Sequence, residues 1–133
     1  MRGSCLCGEI EYEVNKLDSP IQHCSCHTCR KAHAAAFNSA AAVLKSDFRW
    51  LKGDALLSHF ESSPGKKRFF CSKCGTQLVK ENDGQPSLSL RVATLNDDPN
   101  LQPQFRIWSS HEVPWLTYPS NIPTHGEWEP KKG

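Results

Sequence analysis

The seven cysteines of this chain lie in three short clusters, and that grouping constrains the fold more than any other feature. The clusters are Cys5-Leu6-Cys7, Cys24-Ser25-Cys26-His27-Thr28-Cys29 and Cys71-Ser72-Lys73-Cys74. Two cysteines separated by one residue of extended chain pair poorly with each other as a disulfide, whereas both can face one ion. Metal binding is therefore the better account. An ion held by four thiolates is coordinatively closed, and one held by three keeps a position open for water or substrate. Seven divides into four and three, so the odd count predicts one structural site and one reactive site.

The rest of the composition fits a chain that needs such a staple. A length of 133 residues suits a single domain spanning 1–133. Hydrophobic residues make up 38% and mean hydropathy is -0.56, which predicts a thin core that a bound metal would reinforce. The start Met1-Arg2-Gly3-Ser4-Cys5 has no signal-like apolar run and no segment reaches membrane-spanning length, so a cytoplasmic protein without a membrane partner is expected. The formal charge of +2 counts cysteines as neutral. Seven thiolates around two zinc ions would turn it to about −1, and no charge argument for nucleic acid survives. Local basic groups persist beside the cysteines at Arg30-Lys31 and Lys66-Lys67-Arg68, where they can attract an anionic small molecule or merely sit in solvent.

Short alternating segments predict a mainly β fold of antiparallel sheets with little helix. Glu9 to Val14 alternates polar and apolar residues, and extended pieces fit Ile21 to Cys24, Phe48 to Leu51, Ala55 to Phe60, Arg68 to Phe70, Thr76 to Val79, Ser87 to Val92 and Phe105 to Trp108. Turn signals separate them at Gly53, Pro64-Gly65, Asp83-Gly84 and Asp97 to Asn100. The middle cysteine cluster reads as a metal-binding turn running into a short helix at Arg30 to His33. The Ala-rich stretch from Ala34 to Val43 is ambiguous, because alanine favours helix while Val43 and Asn38-Ser39 do not, and strand is the expectation. The tail after Trp108 reads as irregular, anchored by Trp115.

Cys71-Ser72-Lys73-Cys74-Gly75 has the spacing of a zinc knuckle, and Cys5 and Cys7, followed by Gly8, are its economical partners. Cys24, Cys26 and Cys29 then form a compact triad and are the candidate catalytic residues. Other arrangements stay open here: His23, His27 or His33 as a fourth ligand, or sulfurs regrouped between the sites.

These residues resemble a known family. Gly3 to Tyr12, Cys24 to Lys31 and Phe70 to Thr76 are similar to the three motifs of the glutathione-dependent formaldehyde-activating enzyme family, which includes centromere protein V. Trp108 and Val113-Pro114-Trp115 resemble its C-terminal ending. The resemblance implies twisted antiparallel sheets stapled by structural zinc at Cys5, Cys7, Cys71 and Cys74, and a second, more labile zinc at Cys24, Cys26 and Cys29. It also implies a carbon–sulfur lyase that forms or cleaves a thiol–aldehyde adduct, S-hydroxymethylglutathione or a relative, from a small thiol such as glutathione and a small carbonyl compound. Arg30, Lys31 or His27 are candidates for steadying the anionic parts of such substrates. The alternative is a non-catalytic, zinc-stabilised binding module, for which tail aromatics such as Trp108, Trp115 and Trp128 would serve as the contact surface.

Overall fold

The computed structural model describes residues 1–117 and 121–130, and its architecture is mainly β, as expected. Alternation drives it. Strands β1 (Arg2–Ser4), β2 (Glu11–Val14) and β5 (Phe48–Lys52) form a three-stranded antiparallel sheet in the order β1-β2-β5. In β2, Tyr12 and Val14 point inward and are fully buried, while Glu11 and Glu13 stay partly exposed. The outer side is laced by pairs of Glu13 with Arg2 and Arg49.

The larger sheet runs in the order β10-β3-β4-β9-β8-β7-β6. Its members are β3 (Gln22–Cys24), β4 (Asn38–Leu44), β6 (Leu57–Ser63), β7 (Lys66–Cys71), β8 (Gln77–Asn82), β9 (Ser87–Arg91) and β10 (Phe105–Ile107). Every ladder is antiparallel except β10 on β3, which is parallel. Parallel neighbours need a long crossover, and here the chain returns from β9 to the far edge of the sheet to make one.

The two faces of this sheet have different tasks. Val43, Leu78, Leu88 and Leu90 turn to one side and share a buried cluster with Ile10, Tyr12 and Val14 of the small sheet. Phe48 stacks on Tyr12 at 5.2 Å and meets Trp50 edge-on at 4.7 Å, closing this core. On the opposite side the register aligns Arg68 with Lys80, Lys80 with Ser89, and Ser89 with Ala42, a row of side chains across four strands. Arg68, Lys80 and Ser89 of that row, with Gln22 and Ala40, line a cavity.

The Ala-rich stretch resolves as strand from Asn38 onward, in line with expectation. Tertiary context overrides the helical propensity of alanine, since β4 is hydrogen-bonded on both edges and its small side chains leave the cavity floor clear. The single α-helix among the described residues, α1 (His27–His33), ends at Ala34, which adopts a left-handed conformation with φ 49°. The sequence reading starts the helix at Arg30, whereas it begins at His27, inside the cysteine cluster, and other features differ as well. Strand β1 was not expected, because three residues containing a glycine carry no alternation. Strand β6 begins at Leu57 rather than Ala55, since Asp54–Leu56 forms a 3-10 turn. Trp115 does not anchor the tail: it is 74% exposed, and the buried residue there is Val113. The stretch 118–120 of that tail lies outside the described residues.

Candidate metal centres and the cavity beside them

The chain places Cys5, Cys7, Cys71 and Cys74 together, with their sulfurs within 4.8 Å of one another. Two turns of similar build bring them there. Gly8 N donates to Cys5 O at 3.1 Å and Gly75 N to Cys71 O at 2.8 Å, each glycine having a positive φ that folds the chain back around its sulfurs. The turns are tied by Leu6 N donating to Thr76 Oγ1 at 3.0 Å. Cys5 and Cys7 sulfurs are 3.5 Å apart, and those of Cys7 and Cys71 are 3.9 Å apart. Sulfurs placed about 2.3 Å from a tetrahedral ion would be about 3.8 Å apart, so the set fits one zinc-sized ion. The hydroxyl of Thr76, 3.2 Å from Cys74 Sγ, lowers that thiol to about 5, favouring the thiolate a metal requires.

Cys24, Cys26 and Cys29 form a second group, again with all sulfurs within 4.8 Å. Cys24 ends β3 beside Ile107 of β10, and Ser25 N donates to Ile107 O at 3.2 Å. Cys26 is the N-cap of α1, its Sγ accepting from Cys29 N at 3.3 Å. The CxxC spacing and the helix start are thus one feature. Cys29 is buried, and Asn38 Nδ2 and Arg68 Nη2 approach its sulfur at 3.9 and 4.0 Å. Sharing with Cys24 and Cys26, helped by the positive charges of Arg91 and Arg68, pushes the Cys29 thiol far down, whereas Cys24 is pushed up by Cys26 and Cys29. The donor set is all-thiol and compact, so it too can hold a metal ion.

No histidine nitrogen joins either group among the described residues. His23 stacks on Phe37 with ring centroids 4.3 Å apart. His33, held near 4 by burial and by Arg91, faces a different hollow next to Ala35 and Gln77. His27 is exposed, 3.5 Å from the Arg30 guanidinium. The grouping suggested by spacing, four sulfurs and three, is the grouping in space.

The two groups differ in what lies next to them. All three cysteines of the triad line a cavity of about 220 Å³, and none of the other four does. Its floor is Gln22, Ala40 and Ser89; Trp108 and Trp128, edge to face at 5.6 Å, stand at its side with His27 and His111. Four cationic residues also line it: Lys66, Arg68, Lys80 and Arg91. Of these, Lys66 and Arg68 belong to a basic group noticed in the sequence. Lys80 and Arg91 were missed there, although the pattern Ser87-Leu88-Ser89-Leu90-Arg91 alone puts Arg91 on the serine face of β9. Lys31, by contrast, is exposed and does not line the cavity, and Arg30 does not line it either.

A mainly β scaffold with one four-thiol group and one three-thiol group that lines a cavity defines a cysteine-rich metal-site protein. The matching family model, glutathione-dependent formaldehyde-activating enzyme, covers residues 1–111, and the chain belongs to that family. The family is one of lyase-type enzymes, and zinc at both thiol groups is consistent with it. The crystal structure of a Rhodobacter sphaeroides protein is similar, with 28% identity and a TM-score of 0.63 over 74% of this chain and 90% of that one. Comparison with curated proteins finds no match.

Proposed function

We propose that this chain is a zinc-dependent carbon–sulfur lyase that forms or cleaves a thiol–aldehyde adduct, S-hydroxymethylglutathione or a close relative, in the cavity at Cys24, Cys26 and Cys29. The observation that carries this reading is the contrast between the two thiol groups: one offers four ligands and lies away from the cavity, and the other, with one ligand fewer, lines it. In the synthetic direction the thiol sulfur bonds to the carbonyl carbon, the carbonyl π pair becomes an alkoxide, and the thiol proton ends on that oxygen. Cleavage reverses each change. Zinc bound to the triad would supply the Lewis acidity that favours thiolate at neutral pH.

The chain's own residues have definable parts in this. Asn38 and Arg68 approach the Cys29 sulfur and would help to hold it in place. The cations on the floor stabilise negative charge as it develops on the carbonyl oxygen. Trp108 and Trp128 exclude water from one flank. His27 lines the cavity, which His23 and His33 do not, and it would hold or pass the proton of the adduct hydroxyl.

The test has two parts. Purified protein should contain two zinc ions per chain, and Cys26→Ser should lose one while its circular dichroism stays unchanged. Glutathione and formaldehyde should then combine faster with the native protein than without it at matched pH, and the variant should lose that increment. An unfolded Cys26→Ser chain would sink the reading of the triad as reactive. An adduct rate identical with and without protein would favour the binding module.

A further inference from the structure

The cavity is cationic without a visible counter-charge: four basic side chains line it and, among the described residues, no carboxylate does. Arg68 and Arg91 are 6% and 4% exposed. Arginines so buried are normally paired. Arg68 donates Nε to Ser62 Oγ at 3.0 Å, but its Nη1 has no partner among the described residues. Arg91 donates Nη1 to Ser89 Oγ at 3.2 Å and leaves both Nε and Nη2 without one. The strand register sets Arg68 directly opposite Lys80 on the cavity face, and like charges in that relation destabilise a sheet. Glu129 lines the neighbouring cleft with Lys80, yet no ion pair within 4.0 Å joins them among the described residues.

The thiolates account for only part of this charge. Three thiolates with one divalent ion carry a single net negative charge, which Arg68, lying toward Cys29, suffices to balance. Lys66, Lys80 and Arg91 are left over. A guanidinium presents its donors as a planar fork that suits a carboxylate, and the unpartnered atoms of Arg91 are two such donors.

We propose that Arg68, Lys80 and Arg91 form a carboxylate subsite, so that the molecule reacting at Cys24, Cys26 and Cys29 carries a carboxylate near its thiol or near its carbonyl. This rests on the reading of the triad as the reactive centre. Formaldehyde has no charge to offer, so the subsite selects either a thiol acid as its partner or an aldehyde acid in its place.

Calorimetric titration of the zinc-loaded protein tests the proposal. 3-Mercaptopropionate should bind about tenfold or more tightly than its neutral amide, the scale of a charge-assisted hydrogen bond. Lys80→Met should cut that ratio to about threefold or less, with zinc content and amide affinity unchanged. Glyoxylate against glycolaldehyde, run the same way, tells whether the carbonyl partner carries the carboxylate. Equal binding of acid and neutral compound in both pairs, or a ratio untouched by Lys80→Met and by Arg68→Met, overturns the subsite. Plain propionate separates this from failure of the reading it rests on. If the thiols bind no better than propionate, the sulfur chemistry falls; loss of propionate binding in Lys80→Met still upholds the subsite, and its persistence overturns it.

Discussion

Gly53 shows how much the fold asks of one residue. It joins β5 to the 3-10 turn with φ 76°, and a Cβ there would lie 1.9 Å from Glu9 O, in the segment between the first thiol pair and β2. Left-handed backbone alone costs an ordinary residue about 1–2 kcal/mol, and moving a carbonyl to make room adds to that. Gly53→Ala should therefore destabilise the protein by about 3 kcal/mol or more, read from its urea midpoint. Gly84, with φ 77° and nothing within 4 Å, provides the control, and Gly84→Ala should cost only about 1 kcal/mol. Equal losses would mean that the contact with Glu9 is unimportant.

At the scale of elements, β4 carries the most function for its size. Ala40 is 2% exposed at the base of the cavity, flanked in register by Gln22 on β3 and Arg91 on β9. A leucine there would overpack the site at a cost of about 1–3 kcal/mol while leaving every sulfur in place. Ala40→Leu should keep both metals and lose at least about tenfold in adduct formation, because misplacement near 1 Å is enough for that. Undiminished activity would move the reaction away from this cavity. The same strand marks what the sequence disclosed and what it did not. Strands with clean alternation, such as β2 and β9, were legible, as were turns punctuated by glycine. The sulfur pairs and the triad were legible because each turn is local, a matter of one or two intervening residues, and the count of seven then left Cys5 and Cys7 to complete the knuckle at Cys71 and Cys74. The cations at Lys80 and Arg91 were not, since they meet Arg68 and the triad only through the register of β7, β8 and β9, and register is set by pairing between distant segments. Trp115 misled for another reason: its size suggested burial, and it stands 74% exposed.

For the whole molecule, the two thiol groups should answer differently to metal removal. Cys5 and Cys71 are 3% and 0% exposed and belong to the main hydrophobic cluster, so an ion held there couples directly to the fold. The triad instead packs with Ile107 in a small cluster of its own. Graded chelation at neutral pH should take one equivalent of zinc with circular dichroism unchanged, and a second only as the chain unfolds. Simultaneous loss of both, with one cooperative transition, would contradict this division. The parallel pairing of β10 with β3 has a consequence for the history of each molecule rather than for its final state. Cys24 gains its neighbour Ile107 only after nearly the whole intervening chain has been made, and Cys7 waits 64 residues for Cys71. Contacts so distant in sequence close slowly, because the entropy of a long loop is lost before any contact repays it. A newly made chain therefore passes through a period in which the triad is already translated but lacks its wall, and during that interval its thiols stand open to oxidants and to competing metals.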